Sequence, residues 1–512
     1  MNKMTLKEKI GQMLVFGFDE TEVTPRIETL IKEYKLGNIL LFSRNVQTTE
    51  QLFKLNNDIQ KLMIKHLRYP AFVTIDQEGA MVTRITDKAT FFPGAMTLAA
   101  TNVENAYLQG KYMGCELDAL GINMNLAPVL DVNNNPKNPV IGVRSFSDDV
   151  DVVNRFSEAY IKGLQEHVIA TGKHFPGHGD THVDSHLDLP RVSFDKKRLH
   201  EIELSPFKNA IDKGIKSIMS AHIVFEAYDD KPATLSKPIL TDLLRNELGF
   251  EGLIVTDGME MKAILNTYGA IEASIPAVLA GADLLLYCHH EHQQIGAAKL
   301  LEEAVLDGRI PIEVINRSVS RILKFKAQLK TNIDKTYEDV KQSVENEKHR
   351  LFAQQTVIDA LTLVKGKPFK QAGDVLFISQ LPKATTFADL TDGKNTTLDM
   401  LKDLDFDFKQ ASLNPDTDEI KALVSDAKGY KQVIITTYNA NMYPHQLDLI
   451  KQLLSLDTEL HVISLRNPYD LYFLNDIKNY VCLYEYTQNS INALKLYLQG
   501  KIKPKGKFPI HV

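Results

Sequence analysis

Eight short, almost uninterrupted apolar runs recur through the N-terminal part of this chain. They are MLVFGF (13–18), GNILLF (37–42), AFVTID (71–76), MNLAPVL (124–130), VIATGKHF (168–175), SIMSAHIVF (217–225), GLIVTD (252–257) and ADLLLYC (282–288). A strand with one wet face alternates apolar and polar residues. Runs without that alternation suit parallel strands covered on both faces. Amphipathic stretches such as TPRIETLIKEYK and KPILTDLLRNELGF separate them, as a helix returning each strand to the same end requires. Eight such units in succession predict a closed (β/α)8 barrel of the TIM type.

The pattern breaks after the helix-like IPIEVINRSVSRILKFKAQLK (310–330), where TNIDKTYEDVKQSVENEKHR is polar and charged. Strands and helices then alternate again: HRLFAQQTVIDALTLVKG, DVLFISQ, QVIITTYN, ELHVISLRNP and NYVCLYEY. The expected organisation is a barrel over 1–335, a linker over 336–350 and an open α/β layered (αβα) C-terminal domain over 351–512. That domain carries neither GxGxxG nor a P-loop, so no nucleotide site is expected. The closing GKIKPKGKFPIHV reads as a turn and a final strand.

Charge and cysteine content narrow the function classes. The net charge is −6, with 24% charged and 44% apolar residues, so nothing draws the chain as a whole to nucleic acid or an anionic membrane. The three cysteines Cys115, Cys288 and Cys482 lie far apart with no CxxC, which fits a reducing compartment. The first residues offer no apolar core long enough for a signal peptide, and no run approaches a membrane span. A cytoplasmic protein is expected. With no tryptophan, any sugar site must depend on hydrogen bonds more than on indole stacking.

Polar residues gather where the apolar runs end. AFVTID ends on Asp76, MNLAPVL is followed by Asp131, VIATGKHF carries Lys173 and His174, SIMSAHI carries His222, and GLIVTD ends on Asp257. In a barrel these are the carboxyl ends of the strands, where active sites are built. One such Asp is explained by helix capping; five strand ends sharing the pattern are not. The densest stretch, KHFPGHGDTHVDSHLDLP (173–190), places histidines at 174, 178, 182 and 186. Pro176, Gly177 and Gly179 deny it a helix, so the four-residue spacing is no ligand stripe. Three readings remain: a metal site, acid/base machinery, or a solvated loop. No early strand carries the H-x-H of barrel metallohydrolases, and His289-His290 is weak evidence. In D-S-H, Asp184 and His186 share one side of an extended segment, so the carboxylate can fix the imidazole's tautomer and leave its other nitrogen to exchange a proton. With Asp257 as a separate carboxylate, the minimum for retaining glycoside hydrolysis is present.

The motifs GNILLFSRN (37–45), DQEGAMVTR (76–84), APVLDV (127–132), RSFSDD (144–149), KHFPGHGDTHVDSH (173–186), PATLS (232–236) and VTDGMEM (255–261) resemble, in this order, those of glycoside hydrolase family 3, in its β-N-acetylglucosaminidase branch (NagZ-like, two-domain form). The resemblance implies that Asp257 is the nucleophile of a covalent glycosyl-enzyme and that His186, oriented by Asp184, is the acid/base. It implies that Asp76, Arg84, Arg144, Lys173 and His174 hold the terminal sugar, and that the 173–186 loop moves, with Gly177 and Gly179 permitting it. The implied activity is retaining exo-β-N-acetylglucosaminidase action on GlcNAc-containing disaccharides or muropeptides, without cofactor or metal. Phosphorolysis is the alternative, since an imidazole does not repel an incoming phosphate; a non-catalytic sugar-binding barrel is another. Two positions depart from the family: Ala80, where a second glycine is common, and Ser147, often glycine. Oligomeric state is left open.

Overall fold

The computed structural model describes residues 4–181, 189–382 and 396–511. Eight parallel strands close a barrel: β1 (Leu14–Gly17), β2 (Asn38–Leu41), β3 (Phe72–Ile75), β4 (Met124–Asn125), β5 (Ile169–Phe175), β6 (Ser217–Ser220), β7 (Leu253–Gly258) and β8 (Leu284–Tyr287). Strand β1 pairs with both β2 and β8, which closes the ring. Strands β1, β2, β3, β5, β6 and β8 are buried at every residue, and this double coverage explains the missing alternation in their sequences. The surrounding helices bury one stripe each. In Thr49–Leu67, for instance, Leu52, Leu55, Ile59 and Met63 face inward, and Thr48 caps the start by accepting from the Gln51 amide.

Two runs are shorter as strands than as apolar stretches. In MNLAPVL only Met124–Asn125 pairs as strand, because Pro128 has no N–H for a ladder; the chain rejoins β5 through a bridge between Val129 and Lys173. In SIMSAHIVF the barrel strand stops at Ser220, and Val224–Phe225 turns out to pair with Arg191–Val192. The polar stretch 336–350 contains the helix Tyr337–Val344, closed by a Thr336–Asp339 capping box. Its Tyr337, Val340 and Val344 join the barrel's apolar core.

The C-terminal sheet has β9 (Thr362–Lys365), β10 (Val375–Gln380), β11 (Asp407–Ala411), β12 (Gln432–Thr437), β13 (Glu459–Ser464) and β14 (Asn479–Cys482), in the order β9-β14-β13-β12-β10-β11. Only β9 runs antiparallel to its neighbour. Leu376, Ile378, Val433 and Ile435 face one apolar layer, and Phe377, Ile434, Ile463 and Val481 the other, so strict two-residue periodicity feeds a core on each face. Strand β11 (DFKQA) is an edge strand exposed along much of its length, which is why no apolar run announces it. The expected final strand does not form. Residues 507–511 instead cross to the barrel: the Lys507 amide donates to Ala100 (2.8 Å), and Ser147 Oγ donates to the Pro509 carbonyl. Ser147, one of the two positions where the sequence departs from the motifs it resembles, thus holds residue 509 against the barrel. Among the described residues, no helix is long and apolar enough to cross a membrane.

Candidate active site

The carboxyl ends of the barrel strands surround a cavity of about 540 Å³ whose lining includes Asp76, Arg84, Arg144, Lys173, His174 and Asp257. Six sequence-derived candidates therefore share one space. Asp184 and His186 lie outside the described residues, as does His182.

The cavity floor is an ion network that starts at the end of β3. Asp76 and Glu78 are two apart in extended chain and so point to one side. Lys173 Nζ, on β5, lies 2.7 Å from Asp76 Oδ1 and 2.7 Å from Glu78 Oε1. Glu78 also takes both arms of Arg144: Nη2 donates to Oε1 at 2.7 Å and Nε to Oε2 at 2.9 Å. Two carboxylates meet two cations, so the network is neutral although largely buried. Burial alone would raise the Glu78 carboxyl, but the charges of Arg144 and Lys173 outweigh it and hold it well below the usual carboxylate range. Burial likewise pushes the Lys173 ammonium down, and Asp76 and Glu78 reverse that, leaving its pKa above the ordinary lysine value. Both groups stay charged at neutral pH. Gln77, pointing the other way, takes the Arg84 amide on its Oε1 at 2.7 Å and so shapes the turn that delivers Arg84. That turn passes through Ala80 at φ 46°, a left-handed conformation costing an L-residue about 1 kcal/mol that glycine would avoid.

A second buried carboxylate, Asp131, organises the start of the histidine-rich loop. Its Oδ2 lies 2.7 Å from His174 Nδ1, and its Oδ1 accepts the amides of His174 (3.1 Å) and His178 (2.7 Å). This fixes the His174 ring and turns its Nε2 edge to other partners. His178 is enclosed, with Nδ1 2.9 Å from Thr181 Oγ1; burial and the neighbouring His174 push it down to about 4, so it is neutral at pH 7. Gly177 and Gly179 both stand in close contact with their surroundings. A Cβ on Gly179 would stand 1.7 Å from the Val132 carbonyl oxygen, and one on Gly177 2.9 Å from Glu203 Cβ. His222 is a satisfied buried residue, with Nδ1 2.8 Å from Thr234 Oγ1 and Nε2 2.9 Å from the Gly258 carbonyl.

Asp257 stands at the end of β7, partly exposed to the cavity, and its Oδ1 accepts the Gly258 amide at 2.7 Å. Three residues on, Glu260 accepts the amides of Cys288, His289 (2.9 Å) and His290 (2.7 Å), stitching the loop after β8 to that after β7. The outer wall is aromatic without tryptophan: His289 packs on Phe42 at 5.2 Å, and the Arg44 guanidinium covers the same ring at 4.2 Å. Sequence reasoning gave Glu78 and Glu260 no role, and Asp131 only a place among the strand-end residues. The signals were there, in D-x-E after an apolar run and in strand-end acids, but their partners lie on other strands. Among the described residues, no three His, Cys, Asp or Glu side chains gather as a metal-ligand set.

A family model described as the glycosyl hydrolase family 3 N terminal domain matches residues 5–325. Beta-hexosaminidase A of Pseudoalteromonas piscicida is 34% identical over 397 residues, 72% of this chain and 66% of that protein, just under two thirds of its length. A beta-hexosaminidase of Photobacterium profundum is 37% identical over 282 residues, covering 54% of this chain and 81% of that one. The solved glycoside hydrolase family 3 beta-N-acetylglucosaminidase from Paenibacillus sp. str. FPU-7 superposes with a TM-score of 0.89 at 37% identity, covering 99% of each chain. Barrel, second sheet and matched motifs agree, and the chain belongs to glycoside hydrolase family 3, among its β-N-acetylhexosaminidases.

Proposed function

We propose that the protein is a retaining exo-β-N-acetylglucosaminidase that releases terminal GlcNAc from muropeptide-type cell-wall fragments. In this reading Asp257 attacks the anomeric carbon while His186, oriented by Asp184, protonates the departing oxygen. The same imidazole then takes a proton from the water that cleaves the glycosyl-Asp257 ester, so two inversions give net retention. Asp76, Arg84, Arg144, Lys173 and His174 hold the sugar's hydroxyls and neighbouring groups. The observation that carries the reading is Asp257 opening onto the same cavity as the Asp76–Lys173–Glu78–Arg144 network. A preset array of donors and acceptors of this kind orients a polyol without tryptophan and costs no rearrangement at the moment of reaction. The division of labour is a catalytic barrel over 1–335 and a second domain over 351–512. A cytoplasmic location is supported by three thiols without disulfide partners.

The test is the initial rate on nitrophenyl β-N-acetylglucosaminide beside the matching β-glucoside, with no metal added. Strong preference for the acetamido sugar, with β-GlcNAc as the first-formed anomer, supports the reading. Turnover of neither substrate refutes it. In phosphate buffer, GlcNAc-1-phosphate in place of GlcNAc would replace hydrolysis by phosphorolysis on the same residues.

A further inference from the structure

We infer that the C-terminal domain acts on the reaction through Asn467, a positioning residue that holds the Gly142–Arg144 turn from behind and thereby sets Arg144 in the substrate cavity. The inference rests on the proposed function only in taking Arg144 as a sugar-binding group.

Arg144 sits on the long loop that follows β4, and that loop is held from two sides. On the barrel side, Asn138 Nδ2 donates to the carbonyls of His178 (2.7 Å) and Gly179 (3.0 Å), and the Gly142 amide donates to Asn133 Oδ1 at 2.9 Å. On the other side stand three residues from the loops at the carboxyl ends of β12 and β13. Asn441 Nδ2 donates to the Pro136 carbonyl at 2.7 Å, the Tyr469 hydroxyl donates to the Asn133 carbonyl at 3.3 Å, and Asn467 Oδ1 accepts the Val143 amide at 3.1 Å. The carboxyl end of an open parallel sheet is where such folds place a ligand. Here barrel loops occupy that edge, so the sheet's binding face has become a docking face.

Asn467 is the closest of the three to Arg144, one peptide unit away. It is buried, and it fits without slack: a Cβ on Gly142 would come within 2.5 Å of its Oδ1. The turn's backbone is therefore set by contact from the second domain. From there the geometry passes directly to the Arg144 fork on Glu78, and through Glu78 to Lys173.

The test is a double-mutant cycle of Asn467→Ala and Arg144→Ala, read in KM and kcat on the nitrophenyl substrate and in the affinity for GlcNAc by calorimetry. Loss of one buried acceptor is expected to raise KM about tenfold while kcat falls about threefold at most. In the Arg144→Ala background the same substitution should change neither KM nor affinity. Asn467→Asp, which keeps the acceptor oxygen, should recover most of the loss. Independent effects in the cycle, or equal loss of kcat and affinity in both backgrounds, overturn the inference. If Asn467→Ala does not fold, Asn441→Ala cuts the same loop at Pro136 and is read in the same cycle with the same criteria. An unmodified protein that turns over neither sugar and binds no GlcNAc defeats the proposed function instead, so the two failures are distinct.

Discussion

Replacing Glu78 with glutamine changes one atom type at the centre of the cavity floor, and its cost can be worked from the contacts. The carboxylate receives both arms of Arg144 and the Lys173 ammonium, with its side chain 9% exposed. Glutamine keeps one acceptor oxygen and turns an N–H2 toward cations that need acceptors. Two positive charges then face Asp76 alone. Removing one member of a buried, hydrogen-bonded ion group costs about 3–5 kcal/mol, equivalent to a fall in Tm of about 5–10 °C for a domain of this size. Arg144 also loses its fork, and if Arg144 holds the sugar as proposed, a displacement of about 1 Å is expected to lower kcat/KM by about 100-fold. The carboxyl's pKa is depressed in the folded state, so its contribution is present above the unfolded value of about 4.3 and is lost as pH falls toward the folded value. The wild-type advantage over Glu78→Gln should therefore be flat from pH 8 to about pH 5 and shrink below about pH 4. Thermal unfolding across that pH range and steady-state kinetics on the nitrophenyl substrate measure both effects. A glutamine variant within about 0.5 kcal/mol of wild type, with unchanged kcat/KM, would show that the network neither stabilises the floor nor positions Arg144.

Three further outcomes are expected. His178 has a folded pKa of about 4, so stability should fall as pH drops from about 6.5 to 4, by up to about 3 kcal/mol; urea unfolding of wild type and His178→Gln at several pH values reads the difference, and an imidazole that titrates near 6.5 by NMR counts against it. Asp257→Ala should abolish turnover, whereas His186→Ala should spare the nitrophenyl glycoside more than a natural disaccharide, because a good leaving group needs less protonation; equal losses on both substrates would remove His186 from the acid role. Gly179→Ala forces a methyl against the Val132 carbonyl and should destabilise the fold by more than about 3 kcal/mol; a Tm within about 2 °C of wild type would show that the backbone relaxes around the methyl.

The barrel was legible because its strands are buried on both faces, so each one is written locally as an apolar run, and five of the eight end on polar or ionisable residues. Asp76, Lys173, His174 and Asp257 could be found the same way, as strand-end residues of a fold that builds its site there. Arg84 and Arg144 emerged only through the family motifs, since nothing local separates them from surface arginines. Strand β11 and the course of 507–511 were not legible: an exposed edge strand carries no apolar signal, and a short segment held by irregular hydrogen bonds and the burial of Ile510 carries no period.

Sequence alone determined the barrel's elements, their order and the chemical types gathered at the strand ends, because periodicity and strand-end charge are properties of neighbouring residues. Only the tertiary structure decided the pairings: Glu78 with Arg144 and Lys173, Asp131 with His174, Glu260 with the 288–290 amides, and Asn467 with Val143. Each joins segments far apart in the chain, and a charge or an amide carries no mark of its partner until barrel closure and domain docking bring the two within about 3 Å.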